Sequence, residues 1–120
     1  MKLYLAGPMR GIRDFNFPAF HEAAAKLRAR GHEVFSPAER DIEMYGPDIA
    51  QGNLFGDEGI AARDHGFNLR EALLADIEFI CKHADGVVML PGWLNSNGAI
   101  AERQVALALD LKIFDMRDFL

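Results

Sequence analysis

A short apolar run, followed by a polar turn and a helical stretch, constrains the fold of this 120-residue chain most. Val87–Leu90 is an uninterrupted apolar segment, which is typical of a strand buried on both faces of a parallel sheet. Pro91–Gly92 ends this strand, and the polar turn Asn95–Gly98 can cap a following helix. Because nearly every residue of Ala99–Leu109 favours helix, the segment predicts a strand, a loop and a helix in succession.

Strands and helices alternate along most of the chain. We expect strands at Lys2–Ala6, Glu33–Pro37, Val87–Leu90 and Lys112–Phe114, and helices from near Asn16 to Gly31, from Leu69 to about His83, and over Ala99–Leu109. This alternation predicts a single α/β domain over residues 1–120, with helices around a parallel sheet of about four or five strands. The glycine-rich segment Arg40–Gly66 has no clear period, and we interpret it as a long ordered loop with one helical turn near Pro47–Ala50.

Charge and composition argue against several classes of partner. The net charge is −5 and no segment concentrates Lys and Arg, so we expect neither a nucleic-acid polymer nor a membrane as the main partner. No signal peptide or membrane-spanning run is visible, and the single cysteine, Cys81, suits a reducing compartment, so we expect a cytoplasmic protein. The four histidines have no metal-ligand spacing, and we expect no bound metal.

Three polar features are expected to meet at one end of the sheet. Tyr4 precedes the loop Gly7–Gly11, Glu102 follows the turn Asn95–Gly98, and Asp76 lies near the apolar stripe of the preceding helix. In the first turn of its helix, Glu102 would face free backbone N–H groups and stay ionised. Asp76 would be costly there unless it were paired or lined a cavity. One ionised and one protonated carboxyl are what cleavage of a glycosidic bond needs.

Each of these side chains also has a simpler interpretation. Glu102 would favour the helix dipole in any helix, and Asp76 would be an ordinary surface acid in an imperfect stripe. Tyr4 would be a half-buried strand tyrosine, and Arg10 a solvated loop residue. Trp93 would either line a ligand pocket, which we favour, or cover the edge of the sheet.

The motifs Tyr4–Gly11, Asp76–Asp85 and Leu90–Glu102, in this order, resemble the nucleoside 2-deoxyribosyltransferase superfamily. Within it, the chain is most similar to the DUF4406 group of small phage and bacterial proteins. The resemblance covers the chain except for about Arg40–Gly66. It implies a flavodoxin-like or Rossmann-like three-layer fold, chemistry without a cofactor, and a homo-oligomer, a dimer or tetramer in which a neighbouring subunit often completes the site.

The resemblance also implies roles for individual residues. Glu102 would be the nucleophile that attacks C1′ of a nucleoside, Asp76 would assist the leaving base, and Tyr4 would position the nucleophile. The superfamily's transferases carry an aspartate six residues before the nucleophile, where its nucleotide hydrolases carry a serine, and here the residue is Ser96. A hydroxyl can donate to a phosphate that an aspartate would repel. Arg10 resembles the arginine in the first loop of those hydrolases and would contact the same phosphate.

We therefore expect an N-glycosidase that cleaves the base–sugar bond of a nucleoside 5′-monophosphate through a glutamate nucleophile. A nucleoside 2-deoxyribosyltransferase and a non-catalytic nucleotide-binding module on the same fold are the alternatives. In each case the partner would be a small nucleotide or nucleoside. The residues expected to bind it are Gly7, Pro8, Met9, Arg10, Gly11, Trp93, Ser96, Asn97 and Gly98.

Overall fold

Four parallel strands form the centre of the computed structural model, which describes residues 1–119. The strands are β1 (Lys2–Ala6), β2 (Glu33–Phe35), β3 (Gly86–Met89) and β4 (Lys112–Asp115), in the spatial order β2-β1-β3-β4. The helices are α1 (Phe17–Ala29), α2 (Pro37–Tyr45), α3 (Glu58–His65), α4 (Leu69–Lys82) and α5 (Asn97–Ala108). Within the described range, no helix is both long and apolar enough to cross a membrane. The predicted α/β class and all-parallel sheet are confirmed.

Both faces of the sheet are covered, which makes three layers. Leu3 and Leu5 of β1 belong to a core cluster that also contains Phe20 of α1. Tyr4, between them, points to the opposite cluster, which contains Ile80 of α4. Since alternate side chains of a strand point to opposite faces, the whole of β1 beyond its first residue is buried. The four residues of β3 are buried for the same reason, as its apolar run predicts.

The strand order creates one position at the end of the sheet where a ligand can bind. After β1 the chain pairs β2 on one side of it, then crosses to place β3 on the other side. The loops that follow β1 and β3 therefore diverge at the carboxyl ends of the two strands. This is the topological switch point, where open α/β sheets bind their ligands.

The interpretation of Arg40–Gly66 as one long loop is wrong, because α3 and most of α2 lie in it. The strand β2 stops at Phe35, and Pro37 occupies the first turn of α2, where its fixed φ favours helix. Asp57 caps α3 by accepting hydrogen bonds from the backbone N–H groups of Gly59 at 2.8 Å and Ile60 at 3.3 Å. Both helices are short, so neither produces the long apolar period that identifies a helix in sequence.

Candidate active site

A cavity of about 450 Å³ lies at the switch point, a size typical of small-molecule sites. Ten of the twelve predicted site residues line it: Tyr4, Gly7, Met9, Arg10, Gly11, Asp76, Ser96, Asn97, Gly98 and Glu102. The expectation that the loops after β1 and β3 share one end of the sheet is therefore confirmed.

Three side chains from three different elements form the floor of the cavity: Tyr4 of β1, Asp76 of α4 and Glu102 of α5. The Tyr4 hydroxyl donates a short hydrogen bond to Oε2 of Glu102. Tyr4 is 0% exposed, Glu102 6% and Asp76 9%, so all three are shielded from bulk water. Among residues 1–119, Oδ1 of Asp76 is buried without a hydrogen-bond partner, which is rare in folded proteins outside functional sites.

Burial changes the charge of this floor. It raises the pKa of Asp76 to about 7, although the Tyr4 hydroxyl and the charge of Arg40 oppose the shift. Burial also raises the pKa of Glu102 well above its ordinary value, and the Asp76 charge adds to that effect. Two adjacent buried carboxylates repel each other, so the pair retains a proton near neutral pH and titrates as a unit. The floor thus combines an acid with a base, as acid–base catalysis requires.

The prediction that Glu102 lies in the first turn of its helix is wrong, and the helix terminus does not hold the pKa of this carboxyl low. The helix α5 begins at Asn97, two residues before the predicted start at Ala99, which moves Glu102 into the second turn. There it is beyond the free N–H groups of the helix terminus. Loss of hydration outweighs the helix dipole, and its pKa rises.

The N-terminus of α5 forms the side of the cavity that follows β3. Oγ of Ser96 accepts a hydrogen bond from the backbone N–H of Ala99 at 3.2 Å, so Ser96 caps the helix. This cap confirms the prediction that the polar turn Asn95–Gly98 caps the following helix. It leaves the hydroxyl proton free, because one hydroxyl can accept and donate at the same time. Asn97 and Gly98 also border the cavity, where a helix N-terminus favours an anion.

The first loop passes very close to the end of β3. A Cβ atom at Gly7 would lie 2.7 Å from Cβ of Leu90, so only glycine fits without displacing the strand end. Farther along the loop, a guanidinium nitrogen of Arg10 lies 2.9 Å from Oε2 of Glu58 in α3. Arg10 is therefore ion-paired, although its side chain remains 48% exposed.

The connection between α2 and α3 holds the same loop in a strained conformation. Asp14, Phe15 and Asn16 have φ values of 52°, 51° and 61°, the left-handed region that costs L-residues about 1–2 kcal/mol each. The backbone N–H of Asp14 donates to the carbonyl of Asn53 at 2.9 Å, which ties the loop to that connection. Phe15 consequently lines the cavity.

Two predicted binding residues, Pro8 and Trp93, do not line the cavity. Pro8 is a buried residue of the first loop, and its carbonyl accepts a hydrogen bond from the Asn16 side-chain amide at 3.0 Å. Trp93 packs against the core on the α4 and α5 side, with the guanidinium carbon of Arg103 5.0 Å from its ring centroid. The turn after β3 brings Asn95, and not the indole, to the cavity.

Sequence reasoning missed a third buried acid, Asp41 of α2, which lines the cavity and is 7% exposed. Burial raises its pKa to about 7, and the Asp76 charge adds to the shift. The signal that could have found it is Ser36-Pro37-Ala38-Glu39, a helix-start pattern directly after a strand. The cavity also has apolar lining that was not predicted: Phe15, Pro37, Ile49, Phe67, Leu69, Ala72 and Leu73.

The cavity lies wholly within a stretch that matches a known family. Across residues 1–119, no group of three or more His, Cys, Asp or Glu side chains is arranged to hold a metal ion. No curated protein matches the chain. The model of one family, a domain of unknown function (DUF4406), matches residues 1–115, which include every residue that lines the cavity. The chain therefore belongs to the DUF4406 family.

Proposed function

We propose that this protein is an N-glycosidase that hydrolyses the base–sugar bond of nucleoside 5′-monophosphates. The observation that carries the proposal is the burial of Tyr4, Asp76 and Glu102 together at the floor of a ligand-sized cavity. Burying two carboxyls beside each other opposes folding, and ligand chemistry is the usual reason that such a pair persists. Glycoside cleavage with retention uses two carboxyls in the roles of acid and nucleophile.

In the first step, an oxygen of ionised Glu102 attacks C1′ and forms an ester bond to the sugar. The bond from C1′ to the base nitrogen breaks, and its electron pair goes to the base. Protonated Asp76 gives its proton to the leaving base, which departs neutral while Asp76 becomes a carboxylate. This assignment uses the one proton that the coupled pair holds near neutral pH.

In the second step, Asp76 acts as the base. It takes a proton from a water molecule that attacks C1′, the ester bond breaks, and Glu102 is released as a carboxylate. The products are the free base and the sugar 5-phosphate. The enzyme returns to its starting state, with the proton on Asp76.

Tyr4 holds the carboxyl of Glu102 in place. Its hydroxyl donates to Glu102, an interaction that favours the ionised form of that carboxyl. Burial and the two neighbouring acids raise the pKa of Tyr4 well above its ordinary value, so it remains a donor at every physiological pH. We therefore assign Tyr4 the positioning of the nucleophile.

The preference for a 5′-monophosphate is supported by the side of the cavity that follows β3. Ser96 offers a hydroxyl proton, and the backbone N–H groups at the start of α5 favour an anion. Arg10 borders the same cavity and can exchange its exposed contact with Glu58 for a bidentate contact with phosphate. An aspartate in place of Ser96 would repel the phosphate.

Product analysis tests the proposal. The protein is incubated with each deoxynucleoside 5′-monophosphate and its dephosphorylated partner, and free base and sugar phosphate are quantified by chromatography. We expect base release that is faster from the monophosphate; equal or faster release from the nucleoside would refute the phosphate role. Release of base only when a second free base is present would favour a deoxyribosyltransferase, and nucleotide binding without any base release would favour a binding module.

We also propose a homo-oligomer located in the cytoplasm. Several large apolar side chains are exposed on the single chain, among them Leu54 at 57%, Phe55 at 80% and Leu94 at 70%. Leu94 adjoins Asn95 of the cavity, so a neighbouring subunit at this position would reach the site. Light scattering coupled to size-exclusion chromatography tests the assembly, and a monomer at micromolar concentration would refute it.

A further inference from the structure

Asp41 is a buried acid that the proposed reaction does not use. Its carboxyl is 7% exposed and borders the cavity, so the cavity is the place where a ligand would meet it. The charge of Asp76 raises its pKa and that of Arg40 opposes the shift, and within residues 1–119 no hydrogen bond stabilises the carboxyl. A buried acid without a hydrogen-bond partner is costly unless a ligand completes its hydrogen bonds.

The position of Asp41 in the fold assigns it to one end of the cavity. α2 follows β2, whereas Ser96 and the start of α5 follow β3, and β1 lies between these two strands. A nucleotide with its phosphate at Ser96 and its C1′ carbon at Glu102 must therefore extend its base towards α2. Ile49 and Phe67 also line the cavity and supply apolar surface for the flat faces of a base.

At the Asp41 end of the cavity, hydrogen-bond acceptors outnumber hydrogen-bond donors. Asp41 and Asp76 repel each other, so the two carboxyls share protons near neutral pH. Two carboxyls present four oxygen atoms and at most two protons, and with one proton the acceptors outnumber the donors three to one. Glu102 of α5 adds a third acid, and Arg40 of α2 is the cation that acts on both aspartates. A ligand that fits such a surface must donate hydrogen bonds.

We infer that Asp41 is a specificity-determining residue that accepts a hydrogen bond from an exocyclic amino group of the base. The substrates are then nucleotides of amino-bearing bases, such as adenine and cytosine, in preference to their oxo counterparts hypoxanthine and uracil. An oxo group at the same position would place a third acceptor against the two carboxyls. This inference rests on the proposed orientation of the nucleotide, although it concerns binding and does not require cleavage.

Matched nucleotide pairs test the inference. Binding of deoxyadenosine, deoxyinosine, deoxycytidine and deoxyuridine 5′-monophosphates is measured by calorimetry, and base release from each is followed in parallel. We expect the amino-bearing member of each pair to bind at least about tenfold more tightly, as in sites built to hydrogen-bond one substituent. Equal affinity within both pairs, tighter binding of the oxo member, or no binding of any of the four would overturn the inference.

An Asp41→Asn variant sharpens the test, because the amide replaces one acceptor by a donor at constant shape. The preference should shift towards hypoxanthine and uracil by about tenfold or more relative to the wild type. Glu43→Gln, a change at an exposed acid of the same helix, is the matched control and should leave the preference unchanged. A folded Asp41→Asn protein with the wild-type preference would show that Asp41 does not determine the choice of base.

The two readouts separate this inference from the proposed function. Tighter binding of the amino-bearing nucleotides without base release would refute the glycosidase activity and support the role of Asp41 in base recognition. Base release at equal rates from amino and oxo bases would support the glycosidase and remove the role of Asp41.

Discussion

The floor of the cavity and the wall opposite it, which we define as residues 37–67, are held in place by different kinds of interaction. The floor residues come from β1, α4 and α5, whose packing on the sheet buries them almost completely. The wall is attached to the first loop through backbone hydrogen bonds from Gly11 to Gly56 and from Asp14 to Asn53, and through one exposed ion pair. The wall also contributes buried apolar side chains, among them Ala38, Ile49 and Ala61, to the core cluster that contains Leu3 and Leu5. The proposed chemistry thus depends on side chains buried against the sheet, whereas the proposed recognition also depends on the contacts between the wall and the first loop.

The strongest test of the floor is Glu102→Gln, which keeps the shape of the side chain and removes its nucleophilic charge. Base release should fall by about 10³-fold or more, because the first step has no other nucleophile. Thermal stability should stay the same or rise, since the amide avoids burial of a charge. The measurement is base release per folded protein, with Glu78→Gln on the exposed face of α4 as the control. Wild-type turnover in the folded variant would remove the assignment.

The pH dependence of stability tests the raised pKa values of the buried acids in the floor and in the wall. The pKa values of Asp41 and Asp76 are about 7 in the folded protein, against 3.8 for an ordinary aspartate. Between about pH 4 and pH 7 the folded state therefore binds more protons than the unfolded state, and the free energy of unfolding falls as the pH rises. The loss is on the order of 4 kcal/mol for a single carboxyl with this shift.

Replacing one acid isolates its contribution. Urea denaturation of wild type and Asp41→Asn at pH 5 and pH 8 should show a variant that gains stability relative to wild type at pH 8. Taking the difference between the proteins cancels the contribution of exposed ion pairs such as Arg28–Glu39. An identical pH dependence in the two proteins would contradict the raised pKa of Asp41.

The attachment of the wall is tested by Gly56→Ala. A Cβ atom there would lie 2.4 Å from the carbonyl oxygen of Ile12, and the residue has a φ of +58°. Because the obstructing atom belongs to the backbone, the first loop must move, and we expect a loss of about 2–3 kcal/mol together with weaker nucleotide binding.

Gly52→Ala is the matched control for that change. Gly52 also has a positive φ, +73°, but no atom lies within 4 Å of its added Cβ. It should lose only about 1 kcal/mol, the cost of the left-handed conformation, and retain nucleotide binding. Equal losses in both variants, measured by thermal and urea denaturation, would show that the contact with the first loop is unimportant.

The smallest effect is expected at the ion pair that joins the wall to Arg10. Glu58→Gln frees Arg10 for phosphate, and monophosphate affinity should rise by at most about fivefold, since exposed pairs contribute only about 0.2–1 kcal/mol. Affinity for the corresponding nucleoside should not change. In an Arg10→Ala background the Glu58→Gln change should have no effect, and an effect that persists there would exclude competition for Arg10.

Local patterns sufficed to predict the elements that surround the floor. The buried strand β3 follows from an apolar run, and Asn68 and Ser96 cap α4 and α5 as their positions in the sequence indicate. Alternation of these elements also predicted that Tyr4, Asp76 and Glu102 would meet. Such predictions succeed because a strand, a cap or an apolar stripe is determined by residues only a few positions apart.

The sequence by itself determined the parallel sheet, its main helices and the meeting of Tyr4, Asp76 and Glu102 at one end of the sheet. The tertiary structure decided that Asp41 joins those acids, that Trp93 packs away from the cavity, and that the pKa of Glu102 is raised. These outcomes depend on burial and on charges brought together from distant parts of the chain. Because an ionisable group responds to every charge and every loss of hydration around it, its state follows from the assembled fold and not from its neighbours in sequence.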